Sequence, residues 1–297
     1  MTLLHASNPF QNIVFSWNSA SRNAKPFLKW AGGKQRLLPQ YEGFFPPAIQ
    51  RYFEPFIGGG AVFFHLWNTA RLNGEVYLFD HSQELIDAYQ VVRDQVEELI
   101  ALLWQHQTLH SREYYYRIRH LDRERMNLSQ VERAARTIYL NKTCYNGLFR
   151  VNRKGQFNVP MGRYKNPRIL DAEALYAASL ALRETHLEVR NFQSAVELGK
   201  PGDFFYFDPP YDPVSKTASF TGYTPGSFGA DDQKQLARVY ARLSEKGCLC
   251  MLSNSDTPYI RSLYRGFRIE TILANRAINS NSRKRGEIRE VLILNYE

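Results

Sequence analysis

The run "GDFFYFDPPYDP" at residues 202–213 holds the residues best suited to chemistry. Asp208, Pro209, Pro210 and Tyr211 follow directly on Phe204, Phe205, Tyr206 and Phe207. A strand with four aromatic positions has no structural need for a carboxylate and two prolines at its end. A reacting amine does need them. The exocyclic amine of a nucleobase is a poor nucleophile, because its lone pair is delocalised into the ring. Two acceptors, one at each N–H, draw that lone pair toward an electrophile. Asp208 supplies one acceptor, and the carbonyl of Pro209 supplies another, aimed by a backbone that Pro209 and Pro210 restrict. Tyr211 offers a face for a base taken out of its helix, a contact worth roughly 1–3 kcal/mol. Catalysis would then be mostly positioning and electrostatics. Asp208 need not be a strong base, since the amine becomes acidic only once transfer has begun. A simple strand-ending turn would show the same four letters.

Two further stretches point to a ligand. "FIGGGAVF" sets Gly58, Gly59 and Gly60 between a strand and a helix, where the backbone can approach a ligand and the helix N-terminus favours an anion. It does not fit G-x-G-x-x-G, because Phe63 stands at the third glycine. Asp80 ends the next strand, about 20 residues on, where an acid commonly accepts from ribose hydroxyls. Helix N-capping would explain the same acid. "KPFLKWAGGKQRLL" brings Trp30, Gly32, Gly33 and Lys34 together before a helix. It lacks the P-loop spacing and reads as a lid over a ligand carboxylate, or else as a helix cap with a core tryptophan.

These residues need a scaffold. "RYFEPF" and "EVYLFD" read as strands, and helical spacing follows in Leu85, Ile86, Tyr89, Val92, Val96 and Leu99. "HLEVRNF", "DFFYFD", "GCLCMLSN", "FRIETILAN" and "REVLILNY" add five strands, with a helix over 230–247. Strand, glycine turn, helix, strand, acid and helix make a doubly wound α/β domain. From about 105 to 175 the chain turns basic and tyrosine-rich, first helical, then extended with a turn at 152–155. The expected organisation is an N-terminal arm over 1–24, a catalytic domain over 25–104 and 176–297, and an inserted recognition domain over 105–175.

The chain carries a net charge of +9. Residues 112–168 hold 14 Lys and Arg against 4 Asp and Glu, while the rest hold 24 against 25, so one segment contains the whole excess. That is the footprint expected for a polyanion. No apolar run is long enough to span a bilayer, and no secretory signal opens the sequence, which points to a cytoplasmic protein. Cys144, Cys248 and Cys250 form no C-x-x-C pair and read as reduced core thiols, so no metal site is expected.

With "FLKWAGGK", "EPFIGGG", "LFD" and "DPPY" in that order, the chain resembles DNA adenine-N6 methyltransferases of the Dam type, from about residue 26 to 296. The resemblance implies a Rossmann-like sheet that uses S-adenosylmethionine, with an inserted, mainly helical DNA-recognition domain carrying a β-hairpin. It implies catalysis by Asp208, Pro209 and Tyr211. Cofactor contacts would come from Trp30, Lys34, Phe56, Gly58, Gly60, Asp80 and Asp208. "YNGLFRVNRKGQFNVPMGRYKNP" resembles the recognition hairpin of relatives that methylate adenine in GATC. By position, Tyr145 would wedge into the base stack and Asn146 would support the gap left by the flipped adenine. Leu148, Arg150 and Pro160 would face base edges, and Lys29 would read the first guanine. Arg163, Tyr164, Lys165 and Ser215 would position the DNA without specifying it. The implied partner is double-stranded DNA in the nucleoid, with no obligate protein partner. The chain departs from the family pattern in "LNKTCYNG", which is less aromatic, in Asp212 beside the site, and in the extra N-terminal arm.

Methylation of RNA adenine or of a glutamine amide would need similar acceptors. The basic insert argues against a protein substrate, and the hairpin argues for duplex DNA over RNA. A silent DNA-binding regulator would have lost Asp208, Tyr211, Gly58, Gly60 or Asp80, and all are present.

Overall fold

The computed structural model describes residues 22–124, 127–213, 228–275 and 287–297. Seven strands form one sheet: β1 (Ile49–Glu54), β2 (Leu72–Asp80), β3 (Thr185–Val189), β4 (Phe204–Phe207), β5 (Leu249–Ser255), β6 (Arg268–Asn275) and β7 (Glu287–Leu294). Ten α-helices accompany it among the described residues. Those before residue 145 are α1 (Leu38–Tyr41), α2 (Ala61–Asn68), α3 (Gln83–Asp94), α4 (Val96–Thr108), α5 (Arg112–His120) and α6 (Gln130–Thr143). After it come α7 (Ala172–Leu182), α8 (Ala195–Leu198), α9 (Ala230–Glu245) and α10 (Pro258–Leu263).

The strand order is β3-β2-β1-β4-β5-β7-β6. The first five strands pair in parallel, and β7 runs antiparallel between β5 and β6. The chain winds outward from β1 in one direction and from β4 in the other. A crevice therefore opens where β1 and β4 end side by side, the place where doubly wound sheets bind ligands. All seven strands expected from the sequence are present, each within a few residues of the expected bounds.

The aromatic run of β4 follows from its central place. Phe204 and Tyr206 point into one core and Phe205 and Phe207 into the other, so both faces of the strand are buried. Phe205 stacks on Phe53 at 4.3 Å between ring centroids and Phe204 on Tyr52 at 5.8 Å, which ties β4 to β1. Each such ring contributes roughly 1.5–3 kcal/mol by leaving water.

The basic segment lies between β2 and β3, and the expected domain limits fall inside α4 and α7. Helical spacing after Asp80 is interrupted at Gln95 (φ −137°, ψ 39°), which separates α3 from α4. The basic helical stretch is likewise two helices. Ser111 caps α5, and a capping box of Ser129 and Glu132 starts α6. Tyr114, Tyr115, Ile118, Ile138 and Tyr139 share one continuous core with Phe63, Leu85 and Val91 beside the sheet. The basic segment is thus not packed on its own.

Its hairpin is made of single bridges, Cys144 with Met161 and Val151 with Phe157, around a turn in which Gly155 N donates to the Asn152 carbonyl at 2.9 Å. Continuous ladders are absent there because helix side chains take the loop's backbone groups. The Val159 carbonyl accepts from Tyr115 and Arg119, the Phe157 carbonyl from Arg123, and the Phe157 N–H donates to Asp122.

That arrangement revises the charge reading. Arg123 and Arg136 pair with Asp122, and Arg133 with Asp87. Part of the positive excess is structural, and the outward cations concentrate on residues 150–165. The end of the N-terminal arm is docked, since Ala24 is buried and exchanges two hydrogen bonds with the Asn68 side chain.

Candidate active site

The crevice is a cavity of about 1100 Å³ lined by both glycine segments, Asp80, residues 208–213 and Glu290. On the β1 side, Gly58 and Gly60 take positive φ (48° and 71°), as only glycine does without strain. The space they leave is filled by protein. A Cβ at Gly58 would lie 2.8 Å from the Trp30 indole, and one at Gly60 would lie 2.6 Å from the Tyr89 hydroxyl. The glycines thus let Trp30 and Tyr89 close on the turn, and Trp30 stacks in turn on Phe149 at 5.5 Å.

Asp80 does not cap the helix. Ser82 does, accepting from Leu85 N. The two Asp80 oxygens accept from the N–H of Gly58 and of Ser82 at 3.2 and 3.0 Å, which fixes the carboxylate at the cavity wall with lone pairs to spare. Burial raises its pKa despite these bonds. Beside it Phe56 stacks on Phe192 at 5.4 Å and meets Phe228 edge-on at 5.7 Å. This three-ring box suits a flat heterocycle, and Phe192 and Phe228 were missed because neither belongs to a motif.

On the β4 side, Lys34 is buried with only 3% of its surface exposed. Its Nζ lies 2.8 Å from Asp208 Oδ1, donates to the Gly32 carbonyl at 2.6 Å, and sits 4.5 Å above the Tyr211 ring. The anion that Lys34 meets is therefore Asp208, where the sequence suggested a ligand carboxylate. Ser253 Oγ donates to the same Asp208 oxygen at 2.8 Å.

The residues after Asp208 are held by groups that the motif does not contain. Gln233 donates to the Pro210 carbonyl at 2.9 Å. The Asp212 N–H donates to Asn254 Oδ1 at 3.1 Å, and the Asp212 carbonyl accepts from Ser255 at 2.7 Å. Asn254 and Gln233 are joined at 3.1 Å, and Thr257 donates to the Asp212 carboxylate at 2.8 Å. Among the described residues the Pro209 carbonyl accepts nothing. The scaffold thus uses the neighbouring carbonyls and leaves open the one suited to a substrate amine. The signal for this clamp was the run Ser253, Asn254, Ser255, three polar residues at the buried end of an apolar strand.

The residues expected to read DNA lie on one exposed rim, as far as they fall among the described residues. Tyr145 is half exposed, and Asn146 takes a positive φ of 55°, a conformation asparagine tolerates. Arg150, Pro160, Arg163, Tyr164 and Lys165 are exposed and Leu148 is half-buried. Arg150 Nε donates to Asn158 at 2.7 Å, and its terminal nitrogens bond to nothing among the described residues. Lys29 reaches this rim from the other side of the cavity. Its stem lies against Gly147, where a Cβ would be 2.6 Å away, and its Nζ sits 4.4 Å over the Tyr164 ring. Buried Asn141 holds both, accepting from Lys29 N and donating to the carbonyls of Lys29 and Gly147. Lys142, at the cavity edge, is drawn down to about 8 by burial and then by Lys29. Ser215 lies outside the described residues. The structure thus groups the residues expected to serve catalysis and cofactor binding around one cavity, and those expected to read DNA, Ser215 apart, at its rim.

A family model described as "D12 class N6 adenine-specific DNA methyltransferase" matches residues 30–278. The chain is 44% identical over 278 residues to the type II methyltransferase M1.LlaDCHI of Lactococcus lactis, covering 92% of this chain and 96% of that protein. It is 43% identical to M.MjaIII of Methanocaldococcus jannaschii over 92% of this chain and 99% of the other. It is also 34% identical to the DNA adenine methylase of Escherichia coli, over 91% and 95% respectively. With the sheet order and the cavity, these likenesses assign the chain to the D12 class of N6 adenine-specific DNA methyltransferases.

Proposed function

We propose that this adenine-specific DNA methyltransferase acts on double-stranded DNA at GATC, on an adenine rotated out of the helix into the cavity. The observation that carries this reading is the pair of acceptors at the end of β4, the fixed Asp208 carboxylate and the open Pro209 carbonyl.

S-Adenosylmethionine is the methyl donor of this class, and the cavity suits it. The ring box of Phe56, Phe192 and Phe228 fits its adenine, and Asp80 has lone pairs for its ribose. When bound, it supplies a methyl group on a positively charged sulfur. Asp208 and the Pro209 carbonyl accept from the two N–H groups of the target amine and orient its lone pair. Lys34 and Ser253 keep the Asp208 carboxylate in place, so little reorganisation is needed as charge develops. Tyr211 stacks on the base. After the bond has formed the amine is acidic, and its proton passes to the Asp208 carboxylate that accepts from it.

At the rim, Tyr145 fills the stack, Asn146 supports the gap, and Arg150 pairs with guanine O6 and N7 through its free terminal nitrogens. Leu148 and Pro160 meet thymine methyl groups, Lys29 reads the first guanine, and Arg163, Tyr164, Lys165 and Ser215 hold the backbone. Residues 105–175 are the recognition segment, with 25–104 and 176–297 catalytic. The likeness of the reader loop to that of GATC-methylating relatives supports the sequence assignment. No helix among the described residues is long and apolar enough to cross a membrane, in keeping with a protein bound to DNA in the cytoplasm.

The test is transfer of labelled methyl groups into unmethylated duplexes with and without GATC, mapped to single bases. Label on adenine N6 within GATC is expected. Label on adenine in another context would overturn the reading of the rim and leave the chemistry standing.

A further inference from the structure

Glu290 lies outside every motif, yet it lines the same cavity. It belongs to β7, the antiparallel strand, and pairs in register with Ser255 of β5, whose hydroxyl binds the Asp212 carbonyl. Reversal of β7 therefore brings a carboxylate to the end of β5 where the catalytic loop turns. Leu292 and Leu294 face the core that holds Tyr206. With period-two alternation, Glu290 points to that same side. Its Oε2 accepts from the Tyr211 hydroxyl at 2.6 Å, a short, charge-assisted bond.

The Tyr211 ring is thus fixed at two points. Lys34 covers its face at 4.5 Å, and Glu290 holds its tip. A ring held only by a cation over its face can still swing about its Cα–Cβ bond, and a hydrogen bond at the hydroxyl removes that freedom. Burying a carboxylate here is costly unless something compensates. The neighbouring Lys34 charge and the tyrosine O–H do so.

We propose that Glu290 is a positioning residue for methyl transfer, fixing the Tyr211 ring in the plane that receives the target adenine. The inference rests on Tyr211 being the platform for that base, so the experiment separates the two ideas. Single-turnover methyl transfer, cofactor Kd and thermal midpoint are measured for Tyr211→Ala, Tyr211→Phe, Glu290→Ala, Glu290→Gln and the pair Tyr211→Phe with Glu290→Ala.

Tyr211→Phe and Glu290→Ala each remove the hydrogen bond from one side, and each is expected to slow transfer by about tenfold. Cofactor Kd should stay within about twofold and the pair should be no slower than the worse single change, since both remove one interaction. Glu290→Gln keeps an acceptor and should restore most of the rate. Additive losses in the pair, or a Glu290→Ala enzyme with normal transfer, would overturn the role of Glu290 even with Tyr211→Ala slow. Normal transfer by Tyr211→Ala would instead remove the platform itself. A lower thermal midpoint with an unchanged transfer rate would make Glu290 a stabilising residue only, and the proposal would fail.

Discussion

Under the proposed function, residues 208–212 and residues 145–165 face the same task, presenting groups to a nucleobase, and solve it in opposite ways. The catalytic loop ends a fully buried strand, and Lys34, Ser253, Gln233, Asn254, Ser255 and Glu290 bind it from four other elements. The reader loop is bonded mainly through its backbone, to Tyr115, Arg119, Arg123 and Asp122, while Arg150, Arg163 and Lys165 reach outward. One region fixes both backbone and side chains, and the other fixes a path and leaves its side chains open. Chemistry on one amine demands the first arrangement, since misplacement of about 1 Å can cost a hundredfold in rate. Reading base edges tolerates the second, because DNA itself completes the order.

The contrast predicts its largest effect at Asp208. Asp208→Asn should lower single-turnover transfer by about 10²–10³-fold, and because its amide oxygen can still accept from Lys34 the thermal midpoint should fall less than in Asp208→Ala. Asp208→Ala is a poorer probe, since it strands the buried Lys34 ammonium, a change that costs about 3–5 kcal/mol. A reader-loop variant that slowed transfer on cognate DNA as much as Asp208→Asn would break the division of labour.

Next comes the rim. Arg150→Ala should lose about 1–3 kcal/mol of discrimination at one base pair while changing transfer on the best sequence little. Arg163→Ala should weaken binding to all sequences alike and lower the salt slope by about one. Competition binding against single-substituted duplexes distinguishes the two, and uniform weakening by Arg150→Ala would make Arg150 a phosphate contact.

The clamp should respond more modestly. Gln233→Ala releases the Pro210 carbonyl, and transfer should fall about tenfold with DNA Kd unchanged. A change in Kd without one in rate would show that the clamp serves binding.

The smallest effect is on stability. Glu54 is buried with a hydrogen bond from Tyr52, and burial, with some help from Asp208, raises its pKa well above 4.5. The folded state therefore holds this proton more tightly than the unfolded chain. The stability so gained is full below pH 4.5 and is lost as pH rises through the raised value. Glu54→Gln keeps the neutral form at every pH. Its thermal midpoint should match the parent near pH 4 and exceed it by a few degrees at pH 8. Equal midpoints across that range would mean the carboxylate ionises without penalty in the fold.

The same contrast explains what was legible in the sequence. The seven strands showed as apolar runs, and the catalytic loop showed because Asp208, Pro209 and Tyr211 are contiguous. Glycine turns and the basic segment were visible for the same reason, being local in sequence. Glu290, Gln233 and Asn141 were not, because each is a single polar residue whose partner lies 79, 23 or 112 positions away. Pairing of β7 with β5 brings in Glu290, and the packing of helices α9 and α6 brings in Gln233 and Asn141. Charge counting also misled in part, since it does not distinguish Arg136, inside the fold on Asp122, from Arg163, outside it. The helix break at Gln95 left no mark in a continuous apolar pattern.

The core shared between α5, α6 and the sheet bears on how this enzyme can change its target. A reader that folded alone could be exchanged as a cassette. Here a graft at residues 105 and 175 would cut α4 and α7 and expose half of a common interior. New specificities are therefore more accessible through point changes at the exposed positions Arg150, Pro160, Arg163 and Lys165, which are not part of the common interior, than through exchange of the whole segment. Divergence of target sequence within such a lineage should accordingly proceed residue by residue on an unchanging frame.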